Sequence, residues 1–337
     1  MPPDFCEKGT AFPEPAKREE TEKTMKVGID IGGTKCAVVL GDRERIYEKI
    51  RFETTDCAST LERILAAVAR FDSFDGIGIS CGGPLDTERG LILSPPNLRG
   101  WDAVPIRQIL HDRFGVPVGL CNDANACALA EWQFGAGRGT RNMVFLTFGT
   151  GLGAGLILNG QLYEGSSGMA GEVGHMRLSE FGPVGYAKAG SFEGFCSGGG
   201  LAGLGRMLAR ERLQSGNPPG FCPDAAALDH ITAAMLAESA RAGDPTAAEV
   251  WRISGEMLGR GLAVLMDLLN PERIVIGSIF ERAEDLLREP MERTLRREAL
   301  TAAVNACRIL PAALGDSIGD YAALAVAYGN TGKGDEI

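Results

Sequence analysis

The order of apolar patterns along the chain predicts an α/β protein made of two domain-sized segments. Short apolar runs typical of buried strands alternate with longer stretches that have helical spacing. A length of 337 residues suits two domains or one large one. A strand, a turn rich in Gly and Thr, and a second strand occur twice, at 27–40 and at 143–158. This weak internal repeat indicates that each copy opens one of the two segments.

The composition is that of an ordinary globular protein with an acidic balance of charge. Hydrophobic residues make up 45% and charged residues 23% of the chain, and the formal net charge is −10. This charge argues against nucleic acid or an anionic membrane as the main partner, although a small anion can still bind locally. No apolar run reaches the length of a bilayer span.

The first 24 residues and the cysteines indicate where the protein works. The first 24 residues contain both signs of charge and four prolines but no apolar core, so we expect a flexible tail and no secretory signal. The nine cysteines are odd in number and include no C-x-x-C pair. This usage fits a reducing cytoplasm without a disulfide framework.

The first strand–turn–strand unit begins with Val27-Gly-Ile-Asp-Ile-Gly-Gly-Thr-Lys35. Its apolar residues surround Asp30 and predict a buried strand. Gly32 and Gly33 predict a tight turn, because glycine accepts a positive φ without steric cost. Backbone N–H groups at such a tip can bind phosphate, and a carboxylate at its base can hold the accompanying metal. From these residues alone, an ordinary hairpin is the simpler interpretation.

The chain between the two repeat copies follows the pattern of an α/β sheet. Strands are expected at 43–52, 75–79 and 116–121, and helices at 59–71, 104–114 and 123–131. Ligands gather at the carboxyl ends of strands in open α/β sheets. The candidate positions there are the rigid turn at 80–86 and Asn122-Asp123. Asn97 is a further candidate, in a loop where prolines place its amide.

After the second copy, the turn Asn159-Gly160 leads into a short strand at 161–163. Glycine-rich loops then continue to Gly200. Helices are expected at 201–213, 226–241, 244–269, 281–298 and 318–328, and strands at 273–277 and 306–310. The helix at 244–269 has a long apolar stripe that could be core or a dimer face, and we expect core.

Five motifs together resemble the ROK family of sugar kinases and repressors in order and rough spacing. They are Asp30-Ile-Gly-Gly-Thr-Lys35, Pro96-Asn97-Leu, Asn122-Asp123-Ala, Phe148-Gly-Thr-Gly-Leu-Gly153 and Gly171-Glu-Val-Gly-His175. The resemblance covers residues 25–330 and implies the actin/hexokinase-like fold, in which two ribonuclease-H-like domains flank a central cleft. It divides the chain into a tail (1–24), an N-terminal domain (25–135 plus 316–330) and a C-terminal domain (136–315).

The resemblance implies that the two Gly/Thr turns face each other across the cleft and hold the β- and γ-phosphates of ATP. The residues implied are Gly32, Gly33, Thr34, Gly149, Thr150 and Gly151. Asp30 is implied to hold Mg²⁺ through water. Lys35 either reaches phosphate or forms a salt bridge on its strand. The alternative for both turns is that they only reverse the chain.

Asp123 is the candidate general base. Phosphoryl transfer needs a held triphosphate with its metal, a positioned acceptor hydroxyl and a group that takes the hydroxyl proton. The resemblance gives the last role to Asp123. A carboxylate is a modest base, but it suffices because the transition state is loose. From the residues alone Asp123 is more simply a helix N-cap.

The sugar-binding residues are likewise implied by the resemblance. They are Gly83, Asn97, Asn122, Asp123, Glu172, His175 and Glu193. An asparagine side chain both donates and accepts, which suits neighbouring sugar hydroxyls. Glu172 and His175 share a face if the segment is helical. Without the family pattern, these two residues are better interpreted as part of a solvated turn.

We expect no zinc. ROK proteins commonly hold a structural zinc with the histidine of the last motif and three cysteines nearby. In this chain the three cysteine positions correspond to Val184, Tyr186 and Ser191, and Cys196 lies outside the spacing. A tetrahedral zinc site needs four ligands, which His175 cannot supply alone. Packing by Tyr186 and Phe192 is a candidate substitute for the metal.

The sequence therefore predicts an ATP- and Mg²⁺-dependent kinase acting on a hexose or an N-acetylhexosamine at its 6-hydroxyl. The expected partners are the sugar, ATP and a second copy of the chain, in the cytoplasm. A repressor would carry a DNA-binding domain of roughly 50 residues, whereas only a short polar stretch precedes the first strand. A third possibility is a sugar-binding regulator without catalysis. The identity of the sugar cannot be inferred from these residues.

Overall fold

The computed structural model describes residues 24–329, so the expected flexible tail lies outside the described residues except for Thr24. The strands, in chain order, are β1 (Lys26–Ile31), β2 (Lys35–Gly41), β3 (Ile46–Glu53), β4 (Ile77–Cys81), β5 (Leu85–Asp86), β6 (Leu91–Ile92), β7 (Val118–Asn122), β8 (Met143–Phe148), β9 (Leu152–Leu158), β10 (Gln161–Leu162), β11 (Val184–Gly185), β12 (Lys188–Ala189), β13 (Arg273–Ile276) and β14 (Arg308–Pro311). The α-helices are α1 (Cys57–Val68), α2 (Ile106–Phe114), α3 (Asp123–Gln133), α4 (Phe192–Phe195), α5 (Gly198–Gln214), α6 (Ala233–Arg241), α7 (Pro245–Leu269), α8 (Ile279–Glu298), α9 (Thr301–Ala306) and α10 (Ile318–Ala327).

Two five-stranded sheets with the same internal arrangement form the centre of the molecule. Their strand orders are β3-β2-β1-β4-β7 and β10-β9-β8-β13-β14. In each sheet the first three strands are antiparallel, and the last two are parallel to the central strand. The weak repeat in the sequence is therefore a structural duplication, and the predicted α/β class is confirmed.

Glycines inside β1 and β4 allow α10 to lie directly on the first sheet. A Cβ at Gly78 would be 2.2 Å from the backbone nitrogen of Ala327, and one at Gly28 would be 2.6 Å from that of Leu324. Such distances exclude any side chain at these two positions. The first turn of α10 consequently reaches the end of β1.

The apolar stripe of α7 is core, as expected. Val250, Leu258 and Leu262 are fully buried in the cluster that covers the second sheet. In the last turn of the helix, Leu268 is 74% exposed. Burial of the stripe against α5, α6 and α8 supplies the hydrophobic stabilisation expected of an amphipathic helix.

A third apolar cluster joins the two sheets through α3 and α10. Helix α3 packs on β9 so closely that a Cβ at Gly155 would be 2.4 Å from the Cβ of Ala128. The same cluster contains Val275 of β13 and Ala322 of α10. The domain boundary at 135/136 falls in the turn after α3, and that at 315/316 falls in a 3₁₀ helix, Gly315–Ser317. Both boundaries stay a prediction.

The fully buried Glu131 lies at the end of α3, where the chain passes between the two sheets. Its carboxylate accepts hydrogen bonds from the backbone N–H groups of Ala136 at 2.7 Å, Ala313 at 2.9 Å and Leu314 at 2.9 Å. Ala136 lies on the connection from α3 to β8, and the other two lie on the connection from β14 to α10. One carboxylate therefore binds both connections between the sheets.

The expected helices were incomplete, and one of them was wrong. The predicted single helix at 226–241 is a 3₁₀ helix, Ala225–His230, followed by α6, because Thr232 accepts a hydrogen bond from the Met235 N–H and starts a new helix. Helix α9 was not expected. None of its residues is buried, so its sequence has no apolar stripe to reveal it.

Two further expectations concern membranes and cysteines. Within residues 24–329, no helix combines the length and apolar content needed to cross a bilayer. The eight cysteines in this range are all free thiols, and five of them are buried, as expected for small apolar side chains in a core.

Candidate active site

The first Gly/Thr turn lies exposed at the end of β1 and β2. The Gly32 N–H donates to the Lys35 carbonyl at 3.1 Å, which closes the turn. The Thr54 hydroxyl from the adjacent strand end donates to the Gly32 carbonyl at 2.6 Å. Thr34 and Lys35 are both exposed at the tip. The turn is therefore braced from β3 while its tip stays open to a ligand.

Asp30 lies at the base of this turn, in a strongly anionic setting. Burial, followed by the nearby charges of Asp320 and Asp123, raises the pKa of Asp30 to about 6, although Lys49 and Lys35 oppose the shift. A Cβ at Gly319 would be 2.9 Å from the Asp30 carboxylate. Crowded carboxylates of this kind favour a divalent cation, since carboxylate oxygens are ligands that Mg²⁺ prefers.

Asn97 lies directly against the first turn. A Cβ at Gly33 would be 2.7 Å from the Asn97 Cβ and 2.8 Å from its carbonyl oxygen. Trp101, which is fully buried, and Leu98 anchor the loop that carries Asn97, while Asn97 itself is exposed. The structure therefore brings this predicted sugar-binding residue to the predicted phosphate turn.

Asn122, and not Asp123, is the N-cap of α3. The Asn122 side chain accepts from the Asn125 N–H at 3.1 Å, and Asp123 is the first helical residue. The Asn122 side-chain amide also donates to the Asp123 carboxylate at 3.3 Å. The capping role considered for Asp123 is thus filled by its neighbour, which leaves the Asp123 carboxylate available for other chemistry.

The Asp123 carboxylate opens into the space between the two sheets. A Cβ at Gly82, next to Gly83, would be 3.9 Å from its Oδ2, and a Cβ at Gly153 would be 3.6 Å from the Ala124 Cβ. Protein atoms surround the carboxylate although water can reach it. This burial raises the pKa of Asp123, and the hydrogen bond from the Ala124 N–H at 2.8 Å partly opposes the shift.

The second Gly/Thr turn joins β8 to β9 beside the start of α5. The Gly149 N–H donates to the Gly151 carbonyl at 3.1 Å, and the Gly198 N–H donates to the Gly149 carbonyl at 2.8 Å. Ser197 caps α5 by accepting from the Gly200 N–H at 2.9 Å. The N-terminus of this 17-residue helix therefore lies beside the turn and adds positive potential for an anion.

The Glu193 carboxylate contacts the second turn. Its Oε2 accepts from the Leu152 N–H at 3.1 Å, and a Cβ at Gly151 would be 2.9 Å from the same oxygen. A Cβ at Gly174 would be 3.3 Å from the Glu193 Cβ. Glu193 is thus placed between the second turn and the segment that carries Glu172 and His175.

Glu172 and His175 lie at the two ends of one helical turn. Val173–His175 is a 3₁₀ helix with Glu172 at its N-cap position, and residues three apart eclipse in such a helix. Val173 and Gly174 are buried, whereas Glu172 and His175 are exposed. The segment is helical, which is the condition for the expected shared face, and the shared face itself stays a prediction.

The segment at 176–192 holds its shape with hydrogen bonds. The buried Ser191 hydroxyl donates to the Gly185 carbonyl at 3.2 Å and accepts from the Gly194 N–H at 3.1 Å, which caps α4. The Phe192 N–H donates to the Met176 carbonyl at 2.8 Å. Ser191 occupies one of the three cysteine positions of the family's zinc motif, and a hydroxyl, a valine and a tyrosine do not fit zinc beside a single histidine. In residues 24–329 no group of three or more potential His, Cys, Asp or Glu metal ligands is found.

A cavity of about 590 Å³ begins at the second turn and was not anticipated from the sequence. It is lined by residues from several elements, among them Thr150, Gly199, Thr232, Glu238, Ser278 and Arg282. Its volume is that of a small-molecule site. Because these residues are far apart in the chain and form no motif, only the fold brings them together.

Comparison with known proteins gives one family and two activities. The ROK family model matches residues 26–329. The glucokinase of Streptomyces coelicolor is 32% identical over 293 residues, which cover 81% of this chain and 87% of that enzyme. The xylose repressor of Caldicellulosiruptor bescii is 30% identical over 293 residues, covering 82% and 71%.

A solved structure confirms the expected two-domain fold. The ROK glucokinase from Streptomyces griseus, in complex with glucose and AMPPNP, is 31% identical to this chain. The two structures superpose with a TM-score of 0.69, and the match covers 90% of this chain and 99% of that one.

Proposed function

Because the chain belongs to the ROK family, we propose that it transfers a phosphoryl group from ATP to the 6-hydroxyl of a hexose or an N-acetylhexosamine. The cavity beside Thr150 carries this proposal. It begins at the turn that would hold the terminal phosphates and has the volume of a nucleoside site. Kinase relatives such as the glucokinases described above support the same choice.

In the proposed reaction, the sugar hydroxyl oxygen attacks the γ-phosphorus while the bond to ADP breaks. Asp123 accepts the hydroxyl proton, and the Asn122 amide and the Ala124 N–H hold its carboxylate in place. The raised pKa of Asp123 makes it a stronger base than an ordinary aspartate. The amides of Gly32, Gly33, Gly149 and Gly151, with Thr34, Thr150 and Lys35, hold the phosphates.

Asp30 is the residue that would hold Mg²⁺, and its crowded anionic surroundings fit a hydrated divalent cation. When bound, this ion neutralises charge on the phosphate oxygens. Neutralising Asp30, as in Asp30→Asn, removes the charge that would attract the ion.

The sugar would lie between the Asn97 loop and the Glu172–His175 turn. Asn97, Asn122 and the backbone at Gly83 face it from the first sheet, and Glu172, His175 and Glu193 face it from the second. Donors and acceptors on both sides suit a polyhydroxylated ring, because every buried hydroxyl needs a partner. The cytoplasm as location and a homodimer as assembly are parts of the same proposal.

The second candidate function is a sugar-binding regulator without kinase activity. Its support is the 30% identity to a xylose repressor over most of the chain. Sugar binding alone does not separate the two candidates, since both use the same cleft. Turnover does.

The decisive experiment is a coupled ADP-release assay over a panel of hexoses and N-acetylhexosamines with Mg²⁺. The proposal predicts turnover on at least one sugar. Asp123→Asn should lower kcat by about 10³-fold and leave the Kd of that sugar, measured by calorimetry, within about threefold. Sugar binding without ADP release by the wild type would establish the regulator instead. A variant with near-normal kcat would remove Asp123 from the mechanism.

A further inference from the structure

Tyr186 is an unusual residue for the place it occupies. It lies with Ala187 in the two-residue turn between β11 and β12, with φ values of 45° and 59°. Turns with positive φ at both central residues favour Asn and Gly, and a bulky residue there is an outlier. The side chain is also 82% exposed. Neither backbone preference nor burial accounts for a tyrosine at this position.

The contact that accounts for Tyr186 is with His175. The two ring centroids are 5.6 Å apart, and the rings meet edge to face at 71°. The ammonium group of Lys188, on the next strand of the same hairpin, donates to the His175 carbonyl at 2.8 Å. The hairpin therefore holds both the ring and the backbone of His175.

The base of the hairpin is fixed independently of these contacts. Ser191 binds the Gly185 carbonyl, and the Arg177 guanidinium donates to the Ala189 carbonyl at 2.9 Å. A fixed base with an exposed ring at its tip allows the hairpin to orient a side chain outside itself. Removing the ring of Tyr186 should then change His175 without unfolding the hairpin.

We propose that Tyr186 is a positioning residue that orients the His175 imidazole for contact with the sugar, in a chain whose donor set does not fit zinc. This inference rests on the proposed function, because His175 faces the sugar only if a sugar binds there. It extends that function by assigning sugar affinity to a residue that never takes part in the phosphoryl transfer.

The test compares Tyr186→Ala with Phe181→Ala. Phe181 lies in the same segment and is 81% exposed, so it matches Tyr186 in exposure and in the size of the ring removed. We expect Tyr186→Ala to raise the KM for the sugar about tenfold, with kcat and the KM for ATP within about twofold. Phe181→Ala should leave all three unchanged. Tyr186→Phe keeps the ring, so its KM for the sugar should equal that of the wild type.

A second measurement does not depend on catalysis. The chain has three histidines, so imidazole proton resonances of His175 can be assigned with a His175→Gln variant. Loss of the Tyr186 ring should shift the His175 resonances in Tyr186→Ala and not in Phe181→Ala, without sugar present. If the wild type phosphorylates no sugar, the proposed function fails, and these resonances still report on the ring contact.

Four results would overturn the inference. The first is an unchanged sugar KM in Tyr186→Ala, and the second is an equal rise in Phe181→Ala. The third is a rise in the wild-type sugar KM on adding a zinc-selective chelator at saturating Mg²⁺, which would show that a metal positions His175. Unchanged His175 resonances in Tyr186→Ala would also exclude the contact.

Discussion

Single residues set the distance between the phosphate turn and the sugar loop. Gly33 and Asn97 touch so closely that no side chain fits between them. This approach puts a candidate phosphate ligand and a candidate sugar ligand in contact. Phosphoryl transfer depends on such spacing, because the reacting atoms have to lie within about 3.5 Å of each other.

Gly33→Ala should therefore impair catalysis more than folding. The new methyl group would lie 2.7 Å from the Asn97 Cβ, so the turn or the loop has to move. We expect kcat/KM to fall at least tenfold, roughly as for other small misplacements in active sites. Gly220→Ala is the control, since its Cβ would make an ordinary contact 3.5 Å from the Asp244 carboxylate. Similar steady-state kinetics for the two variants would contradict the assigned role of the turn.

The pKa shifts of Asp30 and Asp123 give a direction for the pH dependence. Both groups have to be ionised, and burial raises both pKa values, that of Asp30 to about 6. The rate should therefore fall as the pH is lowered through this range. A plot of log kcat/KM against pH, which reports the free enzyme, should bend downward near pH 6. A flat profile down to about pH 5 would show that Asp30 does not have to be ionised.

The titration of Asp30 should affect stability and rate in opposite directions: the rate rises with pH, whereas the free energy of unfolding falls. Its pKa in the folded state is above the usual value, so the protonated form favours folding, and this contribution is lost as the pH rises from about 4 to about 6. Asp30→Asn removes this titration, so its free energy of unfolding should lack that decline. Urea unfolding of the wild type and the variant at a series of pH values measures this decline.

At the scale of elements, the segment at 176–192 shows how hydrogen bonds hold a loop beside a substrate. Ser191 combines an N-cap for α4 with a hydrogen bond to the preceding hairpin. Phe192 is fully buried beneath it. Packing of Tyr186 and Phe192 was expected to hold this loop. Phe192 is buried, but Tyr186 is 82% exposed and contacts His175 instead, and the contribution of Ser191 was not foreseen.

Ser191→Ala should destabilise the protein by about 1–2 kcal/mol, because it leaves the buried Gly194 N–H without its acceptor and removes a donor from the Gly185 carbonyl. Urea unfolding measures this as a lower midpoint. Ser215→Ala is the matched control: its hydroxyl also bonds a carbonyl, that of Arg212 at 2.9 Å, but it is exposed and water can replace it. Equal midpoints for the two variants would contradict the role assigned to Ser191.

At the scale of the whole molecule, the sequence predicted the parts that follow periodic patterns. The two strand–turn–strand units, the buried stripe of α7 and the position of Asp123 at a strand end follow from apolar spacing and glycine placement. The cavity beside Thr150 and the environment of Glu131 depend on residues more than a hundred positions apart. Contacts between residues so far apart leave no local sequence pattern, so they could be found only in the folded structure.

Glu131→Gln tests the connection between the sheets. A glutamine presents an N–H₂ group to at least one of three backbone donors, so a buried N–H loses its acceptor. We expect a loss of about 1–3 kcal/mol in the free energy of unfolding. Glu272→Gln is the control, since its carboxylate also accepts two backbone N–H groups, from Arg141 and Asn142, but is exposed. A loss no larger than that of the control would show that the Glu131 carboxylate is not needed.

The position of Glu131 also has a mechanical consequence. Any change in the angle between the two sheets has to bend both connections, and both are fastened at this one carboxylate. We expect such a motion to be a rotation about an axis near Glu131, in which displacement grows in proportion to distance from that axis. A few degrees of rotation then barely disturb the atoms around the axis, while the outermost loops travel furthest.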